Sequence, residues 1–259
     1  MRQRTIWTVV LIAAIATAVA CSRRSDVPPV SVIPEAGGGA ASMAAGATGT
    51  SRITGTVTFD GTPPPAETIR MNSDPVCVME ATDTETDYYV VGDGGGFGNV
   101  FVYVKEGISG TYPTPSEPML LDQQGCRYTP HVFGVQVGQT VTIQNSDPTL
   151  HNIHATPAAN PEFNTGQPIQ GMTMDRTFDE AEVMVPFKCD VHGWMNAYVG
   201  VLPHPYFATT GSDGGFDISN LPAGDYVVEA WHEMLGAQTQ SITVGDGATA
   251  ELSFSFSAG

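Results

Sequence analysis

The stretch Val185-Pro-Phe-Lys-Cys189-Asp-Val-His192-Gly-Trp-Met195 carries a thiol, an imidazole and a thioether within seven residues. Runs that read as strands flank it, Glu182–Phe187 before and Ala197–Leu202 after. A connection this short between two strands can aim three donors at one point, and a fourth has to come from a distant strand. Upstream, Gln139-Thr-Val-Thr-Ile-Gln-Asn145-Ser-Asp-Pro-Thr-Leu-His151-Asn152 ends a further strand with another imidazole. One thiolate, two imidazoles and a thioether form a soft set that suits copper, with Cys and both His trigonal and Met a weak axial ligand. A lone Cys in a β protein is otherwise a small buried apolar residue, and a Met is core filler. His154, three residues after His151, is an additional candidate, because from a strand-end loop either ring can reach the ion. Binding of both would add a third imidazole and move the site toward a tetrahedral, zinc-like arrangement.

Outward from this stretch, the chain from Ser51 on consists of short runs rich in β-branched and aromatic residues separated by turn signals. Candidate strands are Arg52–Phe59, Asn99–Lys105, His131–Val137, Thr140–Gln144, Glu182–Phe187, Ala197–Leu202, Phe216–Ile218, Tyr226–Trp231, Gln240–Val244 and Ala250–Phe256. The spacing indicates an all-β protein of sandwiches or barrels rather than βαβ units. Asp-Gly pairs at Asp60-Gly61, Asp93-Gly94, Asp213-Gly214 and Asp246-Gly247 read as hairpin turns, and no acidic series follows them to make calcium loops.

The segment from about Tyr128 to Leu202 resembles a cupredoxin of the plastocyanin and amicyanin type. The resemblance rests on the Gly138-Gln139-Thr-Val-x-Ile-x-Asn145 strand, the His151-Asn152 pair and the Cys-x-x-His-x-x-Met loop. It implies a Greek-key sandwich holding one Cu(I)/Cu(II) ion through His151, Cys189, His192 and Met195, with His151 preferred to His154 for its Asn partner. It further implies that Asn152 ties the histidine strand to the cysteine loop, and that electrons leave through the His192 edge, where Gly193 adds little bulk. Trp194 either shields the site or packs.

Residues 209–244 resemble a carboxypeptidase regulatory-like, transthyretin-like β-sandwich, on the Asp-Gly-x-Phe turn and the corner of Leu221, Pro222, Gly224 and Tyr226. The missing first strands have the right pattern at Ile53–Gly61 and Asn99–Val104. The expected organisation is a discontinuous sandwich of 51–111 and 203–259 with the cupredoxin-like domain 112–202 inserted. No Ser/His/Asp arrangement or metalloprotease helix accompanies it, so no peptidase is expected, and an enzyme is not expected because Met195 leaves the copper no open coordination position.

Arg2 and Arg4 precede the apolar run Ile6–Ala20, which has the length of a signal-peptide core (1–20) rather than of a membrane span. Ala18-Val19-Ala20-Cys21 resembles a bacterial lipoprotein box, with Cys21 lipidated; an ordinary cut after Ala20 is the alternative. Residues 21–50 have the Pro, Gly, Ala and Ser composition of a flexible tether. In an exported chain the remaining Cys77 and Cys126 suit a disulfide, the alternative being a second metal site of Cys126 with His131. His204 and His232 read singly as structural, or together as a weak auxiliary site. Asp and Glu number 27 against 10 Lys and Arg, a formal charge of −17. That excludes a nucleic-acid binder and favours a cationic partner, such as a basic cytochrome c, if the charge does more than keep the chain soluble. The expected function is single-electron transfer between redox proteins outside the cytoplasmic membrane, in the periplasm or on the cell surface. The alternatives are a copper carrier without a redox role, or a sandwich adhesin whose metal is incidental.

Overall fold

The computed structural model describes residues 49–258. The proposed signal peptide and Cys21 lie outside the described residues, as does the tether up to residue 48. In chain order the elements are β1 (Ser51–Phe59), α1 (Pro75–Glu80), β2 (Phe101–Glu106), β3 (Met119–Gln124), β4 (Arg127–Thr129), β5 (Val132–Gln136), β6 (Val141–Asn145), β7 (His151–Ala155) and β8 (Phe163–Gln167). They continue with β9 (Thr173–Arg176), β10 (Glu182–Lys188), β11 (Asn196–Leu202), β12 (Phe207–Thr209), β13 (Gly215–Leu221), β14 (Gly224–His232), β15 (Gly236–Val244) and β16 (Thr249–Phe256). The protein is all-β, as its periodicity predicts, and no helix among the described residues is long and apolar enough to cross a membrane.

The strands build four sheets, ordered β13-β1-β16, β12-β2-β14-β15, β5-β11-β10-β7-β8 and β4-β3-β6-β9. The first two sheets enclose one core. Ile53, Val57, Phe216, Ile218, Leu252 and Phe254 come from one side and Val102, Val104, Val228 and Ala230 from the other, each set taking alternate positions along its strand. Thus β1 pairs antiparallel with β13 and parallel with β16, across almost the whole described chain. At the β13–β14 corner the Tyr226 hydroxyl donates to the Pro222 carbonyl at 2.6 Å, which fixes the turn between the sheets' strands.

The other two sheets enclose a second core around Leu121, Ile143, Ile153, Val185, Phe187, Val199 and Phe133. Met71 and Cys77 also belong to this second core, so the stretch around α1 packs here, although it lies within residues assigned from sequence to the other sandwich. β2 is buried on both faces. Val102 and Val104 turn into the first core, while Phe101 and Tyr103 turn outward to meet Val132, Leu202 and Phe207. The ring of Phe101 seats against Gly200, where an added Cβ would stand 2.4 Å from it; Gly134, paired with Gly200 in register, is equally crowded by Phe207 at 2.5 Å. Glycine is required at this contact because any side chain would push the two sandwiches apart.

Each of the ten sequence-expected strands is present, and β3, β4, β7, β8, β9 and β12 are additional. Of these, β4, β8, β9 and β12 are short sheet edges, and a partner strand rather than intrinsic propensity makes them strands.

Candidate metal centre

The local chain paths bring the donors together. β10 and β11 are antiparallel neighbours with Lys188 opposite Asn196, so residues 189–195 must form the connection. It is closed by Cys189 N–H donating to the Met195 carbonyl at 3.1 Å and Met195 N–H donating to the His192 carbonyl at 2.9 Å. On the other side of β10 lies β7, whose first residue, His151, therefore sits at the same end of the sheet. His151 Nδ1, Cys189 Sγ and His192 Nδ1 form a group whose donor atoms lie within 4.8 Å of one another, all buried. The two Nδ1 atoms are 2.9 Å apart, and Cys189 Sγ is 4.0 Å from His192 Nδ1. Met195 is 1% exposed and packs in the same core as Cys189.

The remote nitrogens decide what the near ones can do. His151 Nε2 lies 2.8 Å from Asp147 Oδ2, and His192 Nε2 lies 3.1 Å from Asp74 Oδ2. A carboxylate accepts, so each Nε2 carries the proton and each Nδ1 presents a lone pair. Two lone pairs facing each other at 2.9 Å beside a thiol repel unless a cation or a proton lies among them. The residues therefore fit a copper ion, in donor chemistry as well as in position.

The thiol is prepared in the same sense. Burial alone would push Cys189 up, but the facing Nδ1 lone pairs of His151 and His192 can take up the thiol's proton, and the ring N–H so formed, with backbone N–H groups, stabilises the thiolate and brings the thiol down to about 6. One of these is His192 N–H donating to Sγ at 3.3 Å. His151 is displaced upward despite burial, because Asp147 and Cys189 both favour its charged form. Asp147 itself is held below its ordinary value, burial being outweighed by His151 and by the N–H groups of Cys126 and Gly125.

Of the other residues singled out from sequence, Asn152 Oδ1 accepts from Asp190 N–H at 2.6 Å, joining β7 to the residue after Cys189, and its Nδ2 donates to Asn164 at 2.6 Å. Cys77 and Cys126 are joined by a disulfide, with Cα atoms 5.5 Å apart. Cys126 forms no metal group with His131, whose Nε2 instead pairs with Glu233. His204 and His232 belong to no donor group among the described residues.

The structure corrects two expectations. His154 does not join the centre: it lies on β7 three residues from His151, and a strand turns such residues to opposite faces. Its ring instead spans Asp190, at 2.9 Å from Nδ1, and Glu162, at 2.7 Å from Nε2. The second correction concerns the His192 edge, which is not open. His192 is 1% exposed. Asp74 and Cys77 Sγ, the latter at 3.6 Å, cover its Nε2, and Trp194 lies against the ring at 5.0 Å while donating to the Cys126 carbonyl at 3.0 Å. Gly193 does leave open space at its own position, but that does not expose the neighbouring ring.

Asp74 and Asp147 were not identified from sequence. Asp74-Pro75 is a recognisable helix start, with Asp74 Oδ1 accepting from Val76 N–H at 2.8 Å, but nothing local says that this helix lies over His192.

A family model described as polysaccharide lyase family 4, domain II, matches residues 181–252, which run from β10 into β16. No curated protein matches the chain. Among solved structures, the chain is similar to a copper-containing nitrite reductase from Thermus scotoductus SA-01, at 21% identity and a TM-score of 0.31 over 36% of this chain; it spans only 24% of that enzyme. It is also similar to a mutant of amicyanin in the Cu(I) state, at 21% identity and a TM-score of 0.30, over 39% of this chain and 97% of that one. A purple cupredoxin from Nitrosopumilus maritimus is similar at 23% identity and a TM-score of 0.28, over 33% of this chain and 99% of that one.

Proposed function

We propose that this chain is an exported, membrane-tethered copper protein that carries single electrons between redox proteins outside the cytoplasmic membrane. The observation that carries the reading is the pair of Nδ1 lone pairs facing each other beside a thiol held down to about 6, with both remote nitrogens occupied by carboxylates. His151, Cys189 and His192 would hold one copper ion, with Met195 the fourth, weak ligand. Copper in such a set supplies a one-electron Cu(I)/Cu(II) couple.

The chain's own residues prepare the centre. The lowered Cys189 thiol gives up its proton near neutral pH. Burial of all three donors keeps bulk water out, and Asn152 holds the loop to β7, so the ligands need not rearrange when charge changes. An enzyme is not part of the reading. The organisation that fits is a copper-binding sandwich of about 112–202 joined by the α1 stretch, set within a sandwich made from both ends of the folded chain. The carboxypeptidase regulatory-like resemblance remains a reading of that outer sandwich, and lipidation at Cys21 remains the reading of the tether. One open cavity that reaches Asp147 is lined by Glu80, Asp83 and Asp87 against Arg127, which pairs with Asp87, and His131, and its surplus of carboxylates supports a cationic redox partner such as a basic cytochrome.

Burial of His192 supports a second reading, a copper carrier without a redox role, since no imidazole edge meets solvent. The discriminating experiment is the visible and electron paramagnetic resonance spectrum of the Cu(II)-loaded chain beside Cys189→Ala and His154→Ala variants. An intense thiolate charge-transfer band, lost in Cys189→Ala and kept in His154→Ala, is expected. Tight uptake with a weak band selects the carrier, and loss of the band in His154→Ala overturns the ligand set.

A further inference from the structure

The carboxylates behind the two histidines arrive on unrelated segments that one covalent bond connects. α1 has six residues, too few to persist alone, and depends on its Asp74 cap, on Pro75 and on burial of Cys77. Cys77 is bonded to Cys126, which stands with Gly125 in the two-residue turn between β3 and β4. Both turn residues have positive φ, 61° at Gly125 and 57° at Cys126. For cysteine this backbone shape is unfavourable, and it persists because it points both N–H groups at Asp147, at 2.8 and 2.7 Å. Asp147 then reaches His151, while at the other end of the disulfide Asp74 reaches His192 and accepts from the Thr149 hydroxyl at 2.6 Å. Thr149 lies two residues before His151, so the second carboxylate is tied to both histidine segments.

We propose that Asp74 and Asp147, set by the two ends of the Cys77–Cys126 disulfide, are positioning residues that clamp the remote nitrogens of His192 and His151 and fix both imidazoles toward copper; the proposal rests on the copper reading above. The clamp has two consequences. Fixed negative charge behind each imidazole strengthens it as a donor and favours the more highly charged Cu(II), which lowers the reduction potential. Neither ring can swing away from the ion without breaking a charge-assisted hydrogen bond and displacing α1 or the β3–β4 turn.

The test uses the full chain with Asp74→Asn, Asp74→Ala and Asp147→Asn. Asparagine at 74 keeps the helix cap through its single oxygen and sets an amide N–H where Oδ2 faced His192, so it removes the charge and that acceptor while leaving α1 capped. Copper content, the thiolate band, retention against a Cu(I) chelator and the midpoint potential are measured. In the copper-free protein, solvent exchange of the His192 Nε2 proton is followed by NMR. The expected result is one copper and an intact band in Asp74→Asn, retention weakened about 10- to 100-fold, a raised potential, and a His192 proton protected in the wild type but exchanging freely in Asp74→Ala. Asp147→Asn also disturbs the buried turn, so Asp74→Asn, at the partly exposed end, decides. Wild-type retention and potential in Asp74→Asn, with the band present, overturn the clamp and leave the copper reading standing. Absence of bound copper in the wild-type chain overturns the copper reading and the clamp with it.

Discussion

In the first sandwich His232 is fully buried, 4.4 Å from the ring of Phe97 with Tyr89 and Phe256 around it, and its Nε2 has no partner. Burial, aided by the nearby positive charge of His131, pushes it down to about 4, so it stays neutral. In the second sandwich His151 is buried to the same degree, yet it is displaced upward, because Asp147 is buried beside it. The two regions share an architecture of two packed sheets and differ in which polar groups accompany the histidine. An aromatic nest makes an imidazole part of the core, whereas a carboxylate on its far nitrogen leaves the near one a lone pair for a proton or a cation.

The largest expected effect falls on the second region alone. Replacing both Cys77 and Cys126 by Ala opens a link between residues 49 apart in sequence, which costs about 4 kcal/mol by the loop-entropy relation. Denaturant unfolding should show it as a lowered midpoint for signals from Trp194, and an unchanged midpoint would break the contrast. Next is acid stability. The folded pKa of His232 is depressed, so the unfolded chain takes up its proton first as pH falls; stability is full above about 6.5 and declines toward pH 4, by an amount on the order of 3 kcal/mol. His232→Phe should flatten that decline in thermal melts between pH 7 and pH 4, and a slope equal to wild type counts against the burial argument.

A smaller effect tests how far the regions depend on each other. Gly200→Ala forces a methyl against Phe101 and should cost about 1–3 kcal/mol while leaving the copper band in place. Loss of the band would mean that the contact between the sandwiches also shapes the metal centre. The smallest effect belongs to His131, which pairs with Glu233 of the other sandwich. Burial lowers its pKa, but Glu233 and Asp87 outweigh this and raise it, so its stabilisation is complete below the unfolded value near 6.5 and is lost as pH rises through the folded one. The destabilisation by His131→Gln should therefore be larger at pH 6 than at pH 9, and the reverse order would remove this link between the regions.

Much of the site was legible because its rules are local. Cys189, His192 and Met195 lie in one seven-residue connection, and the strands on either side announce themselves by alternation. His154 was misplaced because His151-Asn-Ile-His154-Ala reads equally as a loop or a strand, and only pairing with β8 and β10 makes it a strand, with His151 and His154 on opposite faces. The closed His192 edge was missed because the segment covering it is 118 residues away.

The sequence by itself determined the all-β class, through period-two patterning that each strand carries within its own few residues, and the soft donor triad, through a spacing shorter than any alternative path. Tertiary structure alone decided which histidine faces the thiol, which carboxylate stands behind each ring, and that α1 covers His192. Those choices depend on register and on contacts between segments far apart in the chain. No local propensity encodes them, because the free energy that selects them exists only once the sheets have packed.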